Sequence, residues 1–201
     1  MSILDFTNLE KRNIMNEQVS EWNSIINLPE LLLSLGEDLS REGLEETPRR
    51  VRKAYEELFE GYTLNLDDIM KATFDSEGGG MQVVNDIFFT SMCEHHILPF
   101  YGYVDVAYRA DERVLGLSKL SRLVDYYAKR LQIQERLTNQ IAQALMDYLA
   151  PKGVCVIIRA VHLCCKGRGV RRDKMYFTTQ AERGNINGLP HMLSIQRREA
   201  L

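Results

Sequence analysis

The 201-residue sequence has one tryptophan, five prolines, four cysteines and no long hydrophobic run. No apolar stretch approaches the roughly 20 residues that a membrane-crossing helix needs, so no membrane span is expected. Nor is a leader expected. Met1-Ser2-Ile3-Leu4-Asp5-Phe6-Thr7 has neither a cationic lead-in nor an apolar segment, which points to a cytoplasmic protein. The net charge of −3 argues against a general nucleic-acid binder, and any anionic ligand must therefore meet a local basic cluster. Four cysteines in a chain of this kind read as reduced thiols and not as a disulfide frame. Asp75-Ser76-Glu77-Gly78-Gly79-Gly80 is a turn, not a phosphate loop, because no Gly-Lys-Ser or Gly-Lys-Thr opens a helix after it. There is no internal repeat and no low-complexity tract. What remains, 45% hydrophobic and 26% charged residues, is the composition of one globular domain with a good core.

Periodicity orders that material. Ile14, Val19, Trp22, Ile25 and Ile26 fall at helical spacing over 8–26, and Leu28-Pro29-Glu30 opens a second helix running to about Leu39, with Gly36 and Gly43 as stops. Thr47-Pro48 starts a third with a capping hydroxyl and Pro at the first position. Val51, Tyr55, Leu58 and Phe59 form its stripe, and Gly61 ends it. Its first turns carry Arg49, Arg50, Arg52 and Lys53, where the helix dipole disfavours cations, so they are either a solvated face or a meeting point for an anion. Strands follow over 82–90 and 100–109, then two amphipathic helices over 117–130 and from Gln134 to the approach of Pro151, then strands over 154–162 and 174–180. Two strands, two helices and two strands predict an α+β domain, an antiparallel sheet with both helices packed on one face. We expect a helical arm over 1–62, a catalytic domain over 63–184 and a loose tail or interface arm over 185–201.

The chemistry gathers at strand ends. Cys93-Glu94-His95-His96 sets a thiol and an imidazole three positions apart, able to share one metal ion as the soft sulfur and borderline nitrogen that Zn²⁺ prefers. A later cluster, His162-Leu163-Cys164-Cys165, closes the apolar run Val154-Cys155-Val156-Ile157-Ile158. If the strand continues through it, His162 and Cys164 face one way and Leu163 and Cys165 the other. The candidate constellation is Cys93, His95 or His96, His162 and Cys164. Each thiol or imidazole taken alone reads as a buried core residue; two Cys/His clusters at strand ends favour a metal.

With these pieces placed, the sequence resembles the GTP cyclohydrolase I family, zinc enzymes that open the imidazole ring of GTP to give dihydroneopterin triphosphate and formate at the start of pterin and folate synthesis. The resemblance spans about 36–184. It is carried by Gly36-Glu37-Asp38, Arg41-Glu42-Gly43-Leu44, Thr47-Pro48-Arg49-Arg50-Val51, Ser91-Met92-Cys93-Glu94-His95-His96, Pro99-Phe100, Gly116-Leu117-Ser118-Lys119, Gln132-Ile133-Gln134-Glu135-Arg136-Leu137-Thr138, His162-Leu163-Cys164 and Arg168-Gly169-Val170. It implies the tunnelling fold, Cys93, His96 and Cys164 as zinc ligands, and His95 and His162 as the acid/base pair. It further implies Glu135, with Gln134 beside it, at the guanine edge, and Ser118, Lys119, Arg122, Arg168, Arg50 and Lys53 around the ribose and triphosphate. A homo-oligomer, a decameric ring with sites at subunit interfaces, comes with the resemblance, and Arg50 and Lys53 would then serve a neighbour's site.

The sequence departs from the family pattern at Asp105, where His or Thr is usual, at Arg109-Ala110 in place of Ile-Pro, at Leu131 in place of Pro, and in the tail after Gly184. Two other readings compete. A relative on the same fold that reduces a nitrile would use a cysteine nucleophile and need no Cys-His-Cys set. A zinc-stabilised binding module would close its metal with a fourth protein ligand, His95 or His162.

Overall fold

The computed structural model describes residues 27–188 and Pro190; the helix expected over 8–26 lies outside the described residues, as does most of the tail. The chain divides into two compact units, residues 1–55 and 56–201. In the first, α1 (Leu28–Ser34) begins with Pro in its first turn and stops at Gly36, whose φ of +86° is the left-handed conformation that ends helices. It is shorter than the sequence suggests, and Leu39 lies beyond it. Gly43, expected as a stop, sits inside the short helix α2 (Glu42–Glu45). Helix α3 (Thr47–Leu58) starts where Thr47-Pro48 predicts, but the Thr47 hydroxyl donates back to the Gly43 carbonyl instead of capping the turn ahead. No residue of α1, α2 or α3 is buried.

The second unit begins with a 3-10 turn over Glu60–Tyr62 and α4 (Leu66–Met70), capped by Asn65, whose side chain accepts from the Asp67 amide. Strands β1 (Thr73–Asp75) and β4 (Arg113–Leu115) form a small ribbon. Neither that ribbon nor α4 has enough length for periodicity to reveal it. The main sheet takes β2 (Gly80–Cys93), β3 (Pro99–Ala110), β5 (Leu131–Gln132), β6 (Gly153–His162) and β7 (Phe177–Gly184) in the order β5-β2-β3-β6-β7. All neighbours are antiparallel except β5, which pairs with the end of β2 in parallel through Met92–Leu131 and Cys93–Gln132. The last strand is displaced from the expected 174–180 because Lys174, Met175 and Tyr176 precede the register with β6, which starts at Phe177 opposite Ala160.

Helices α5 (Leu117–Ala128) and α6 (Gln134–Leu149) lay their stripes on one sheet face, as the 3.6-residue spacing requires. Leu120, Leu123, Val124, Leu137, Ile141 and Leu145 pack there with Phe89, Val104, Val106, Tyr108, Val154, Val156 and Ile158. Each large side chain so buried contributes about 1.5–3 kcal/mol. At Gly102 the sheet admits no side chain, since a Cβ would stand 1.9 Å from the Arg159 carbonyl oxygen.

Asp105 also finds its reason here. It is 2% exposed, its Oδ1 accepts from the Asp86 amide at 2.9 Å, and its Oδ2 meets Arg159 Nη2 at 2.6 Å. Asp86 lies in the bulge between Val84 and Ile87 with φ +57°, so the carboxylate pins an irregular strand that a plain ladder would leave unpaired.

Candidate functional site

Strand β2 does not end before the Cys-Glu-His-His motif; Cys93 is its last residue. The Cys93 amide donates to the Leu98 carbonyl, the Glu94 amide to Gln132 of β5, and the His96 and Ile97 amides both reach back to the Cys93 carbonyl. The turn is tight enough to put Ile97 at φ +51°, a conformation that a β-branched residue rarely adopts and that the surrounding bonds must hold. Glu94 anchors it sideways with a two-toothed ion pair to Arg136 of α6, at 2.5 and 3.0 Å, and that guanidinium holds the carboxyl below its usual range.

The result is a convergence. One ligand atom each from Cys93, His96 and Cys164 lies within 4.8 Å of the others, a group that could hold a metal ion. His95 and His96 both turn Nδ1 toward the Cys93 sulfur, at 3.8 and 4.0 Å, although their rings stand 6.3 Å apart and nearly perpendicular. Only His96 joins the cluster of three. Cys93 is buried, Cys164 is 9% exposed and His96 is open to solvent, so the group sits at a surface mouth with its sulfurs inward. Burial, reinforced by contact with Cys165 and Cys93, pushes the Cys164 thiol up to about 11, and a cation is what would draw that proton off.

The strand argument for the second cluster does not hold. β6 stops at His162, and Leu163–Lys166 form a helical turn, α7. Period-two alternation therefore ends before Cys164, and Cys165 does not face away: its sulfur lies 3.9 Å from that of Cys164. His162 stays outside the metal cluster. Its ring stacks on Phe100 at 4.6 Å and 3°, and its Nε2 is 2.8 Å from Gln134 Oε1.

Gln134 settles the tautomer of that histidine. Its Nε2 donates to the carbonyls of Ile158 and Phe177, which can only accept, so its Oε1 must be the acceptor and His162 must carry a proton on Nε2. The Thr179 hydroxyl lies beside the same amide nitrogen at 3.1 Å. Burial lowers the His162 pKa, with the Glu135 carboxylate opposing, so the ring is neutral near pH 7 and keeps a lone pair on Nδ1. Gln134 is thus 1% exposed, with its side-chain amide bonded to β6, β7 and His162. Its neighbour Glu135 is exposed in the first turn of α6.

Ser118, Lys119 and Arg122 lie along the first turns of α5, with Ser118 and Arg122 exposed. Arg168, just past α7, approaches His96, its Nη1 lying 3.2 Å from Nε2. Arg50 and Lys53 are exposed on α3, within the unit of residues 1–55. The pairings of Gln134 and Phe100 with His162 and of Glu94 with Arg136 left no sign in the sequence, because each depends on elements brought together by the sheet.

The family model of GTP cyclohydrolase I matches residues 26–194. The chain is 51% identical to GTP cyclohydrolase 1 of Deinococcus radiodurans over 162 residues, covering 80% of this chain and 75% of that one. The corresponding enzyme of Mycolicibacterium vanbaalenii is 52% identical over 159 residues, 78% of this chain and 79% of the other. That of Campylobacter jejuni is 52% identical over 155, or 77% and 82%. Among solved structures, the crystal structure of an archaeosine synthase QueF-Like in the apo form matches 53% of this chain and 95% of its own at TM-score 0.43 and 18% identity, too low to carry an argument. With the family model matching most of the chain and relatives about half identical over more than three quarters of it, the chain belongs to the GTP cyclohydrolase I family.

Proposed function

We propose that this chain is a GTP cyclohydrolase I, hydrolysing the imidazole ring of GTP to give dihydroneopterin triphosphate and formate. The observation that carries the reading is the convergence of Cys93, His96 and Cys164 to within 4.8 Å. Two sulfurs and one imidazole nitrogen suit Zn²⁺, which takes such donors at about 2.0–2.3 Å. When bound, zinc supplies a nucleophile at neutral pH by lowering the pKa of water.

The residues of the chain do the rest. His162, held neutral with its proton on Nε2, presents Nδ1 to take a proton from the attacking water and return it to the ring nitrogen as the bond at C8 opens. Gln134 fixes the orientation of that ring and is a positioning residue. His95 moves the second proton during formamide hydrolysis. The Glu135 carboxylate accepts from the N1–H and exocyclic amine of guanine together and so sets C8 near the metal. Ser118, Lys119, Arg122 and Arg168 hold the ribose and triphosphate. His96 turns Nδ1 to the Cys93 sulfur and would offer that nitrogen to the metal; its proton would then sit on Nε2, which would no longer accept from Arg168 and would leave that guanidinium for phosphate.

The chain works as a homo-oligomeric ring, with Arg50 and Lys53 completing a neighbour's site. Helices without a single buried residue support that assembly. Its compartment is the cytoplasm, which suits four free thiols; no helix among the described residues is long and apolar enough to cross a membrane. The test is incubation of metal-analysed protein with GTP, following formate and pterin absorbance. About one zinc per chain with both products is expected, with metal lost in Cys164→Ala and only turnover lost in His162→Ala. Zinc without formate overturns the reading.

A further inference from the structure

We propose that Cys165 is the fourth ligand of the metal at Cys93, His96 and Cys164 in the substrate-free protein, closing the site as three sulfurs and one nitrogen until substrate displaces it. The inference rests on the metal reading above and deepens it.

Its first support is a distance. Ligands about 2.3 Å from a tetrahedral metal stand about 3.8 Å apart, and the sulfurs of Cys164 and Cys165 are 3.9 Å apart. Cys93, His96 and Cys164 each lie within 4.8 Å of the other two. The Cys165 sulfur therefore stands at ligand spacing from one member of that group.

The second support is how the chain brings Cys165 there. Had β6 continued, successive side chains would have pointed to opposite faces; in the helical turn of α7 they diverge by only about 100°, and the two sulfurs stay 3.9 Å apart. The Arg172 amide donates to the Cys165 carbonyl, so the following loop folds back over the residue. Among the described residues, Cys164 is the only hydrogen-bond partner of the Cys165 thiol. His95 is the rival for the fourth position, its Nδ1 3.8 Å from the Cys93 sulfur, and a nitrogen there would leave the sulfur count at two.

The third support is a place to go. Cys165 lines a cavity of about 220 Å³ with Ala160, His162, Met175, Tyr176 and Phe177. A sulfur leaving the metal can turn into this apolar space. The exchange is a ligand substitution: the thiolate leaves as a thiol, taking the proton released when water replaces it, and no oxidant is needed. A soft thiolate in the resting site holds the ion more firmly and keeps bulk water off it.

The experiment is zinc-edge X-ray absorption on the loaded full chain, repeated on the Co²⁺ form by its sulfur-to-metal charge-transfer bands. Three sulfurs are expected in the parent and two in Cys165→Ala, with a loss of roughly tenfold or more in metal affinity. Two sulfurs in the parent overturn the proposal and leave the open zinc site standing. This count needs no variant, so poor folding of Cys165→Ala would not obscure it. A parent that binds no metal, or metal retained unchanged in Cys164→Ala, overturns the metal site itself. Adding GTP lowers the parent count to two; a count fixed at three overturns displacement.

Discussion

The two faces of the main sheet are made by the same strands and finished differently. One carries Phe89, Val104, Val106, Tyr108, Val154, Val156 and Ile158 under α5 and α6. The other has a cluster of only Ala107, Cys155 and Ile157, with Met81, Val83 and Ile186 against it. Beside that cluster stand the Asp105–Arg159 pair and Phe88, 57% exposed with its edge against Tyr103. The covered face is closed within one chain. The other, among the described residues, sets apolar side chains beside a buried ion pair.

Breaking the covered face has the largest effects. Gly102→Ala drives a Cβ into the Arg159 carbonyl, a backbone atom that cannot yield, and we expect destabilisation beyond the ~1–3 kcal/mol usual for overpacking, read by urea unfolding. Leu145→Ala, which empties a fully buried position, is expected to cost about 2–5 kcal/mol in the same assay. On the bare face, Arg159→Ala leaves a 2% exposed carboxylate without its cation. Breaking buried pairs costs about 3–5 kcal/mol; because Arg159 is itself a quarter exposed, a smaller loss is expected. Phe88→Ser should change subunit stability by less than about 0.5 kcal/mol and yet shift the sedimentation coefficient toward smaller species. A large stability loss without a change in assembly would erase the contrast between the faces.

The smallest effect is a slope. Burial, with Glu182 nearby, pushes the Cys155 thiol up to about 12 from 9.0. The folded state therefore holds its proton where the unfolded chain has lost it. The contribution is whole below pH 9 and is lost as pH rises toward 12. Cys155→Ala should flatten that alkaline limb of the stability profile.

Much of this was legible beforehand. Long periodic segments declared α5, α6, β3 and β6 because an amphipathic stripe is a local property. That Cys93 and Cys164 belong to a Cys/His site was legible because ligand chemistry restricts residue types, while the choice between His95 and His96 was not. The constellation including His162 was not sound, since it assumed that β6 ran on to Cys164 when the strand ends at His162. The surroundings of Gln134 were hidden for a related reason: its four polar contacts come from β6, β7 and His162, none near it in sequence.

The sequence by itself determined the class of fold, the helices that cover the sheet, and the presence of a Cys/His site, because periodicity and donor type are written residue by residue. Only the tertiary structure decided which imidazole faces the metal group, which carries its proton on Nε2, and where Cys165 points. Those depend on distances between β2, α6, β6 and α7. Such distances are set when the sheet closes, by packing that no single segment contains.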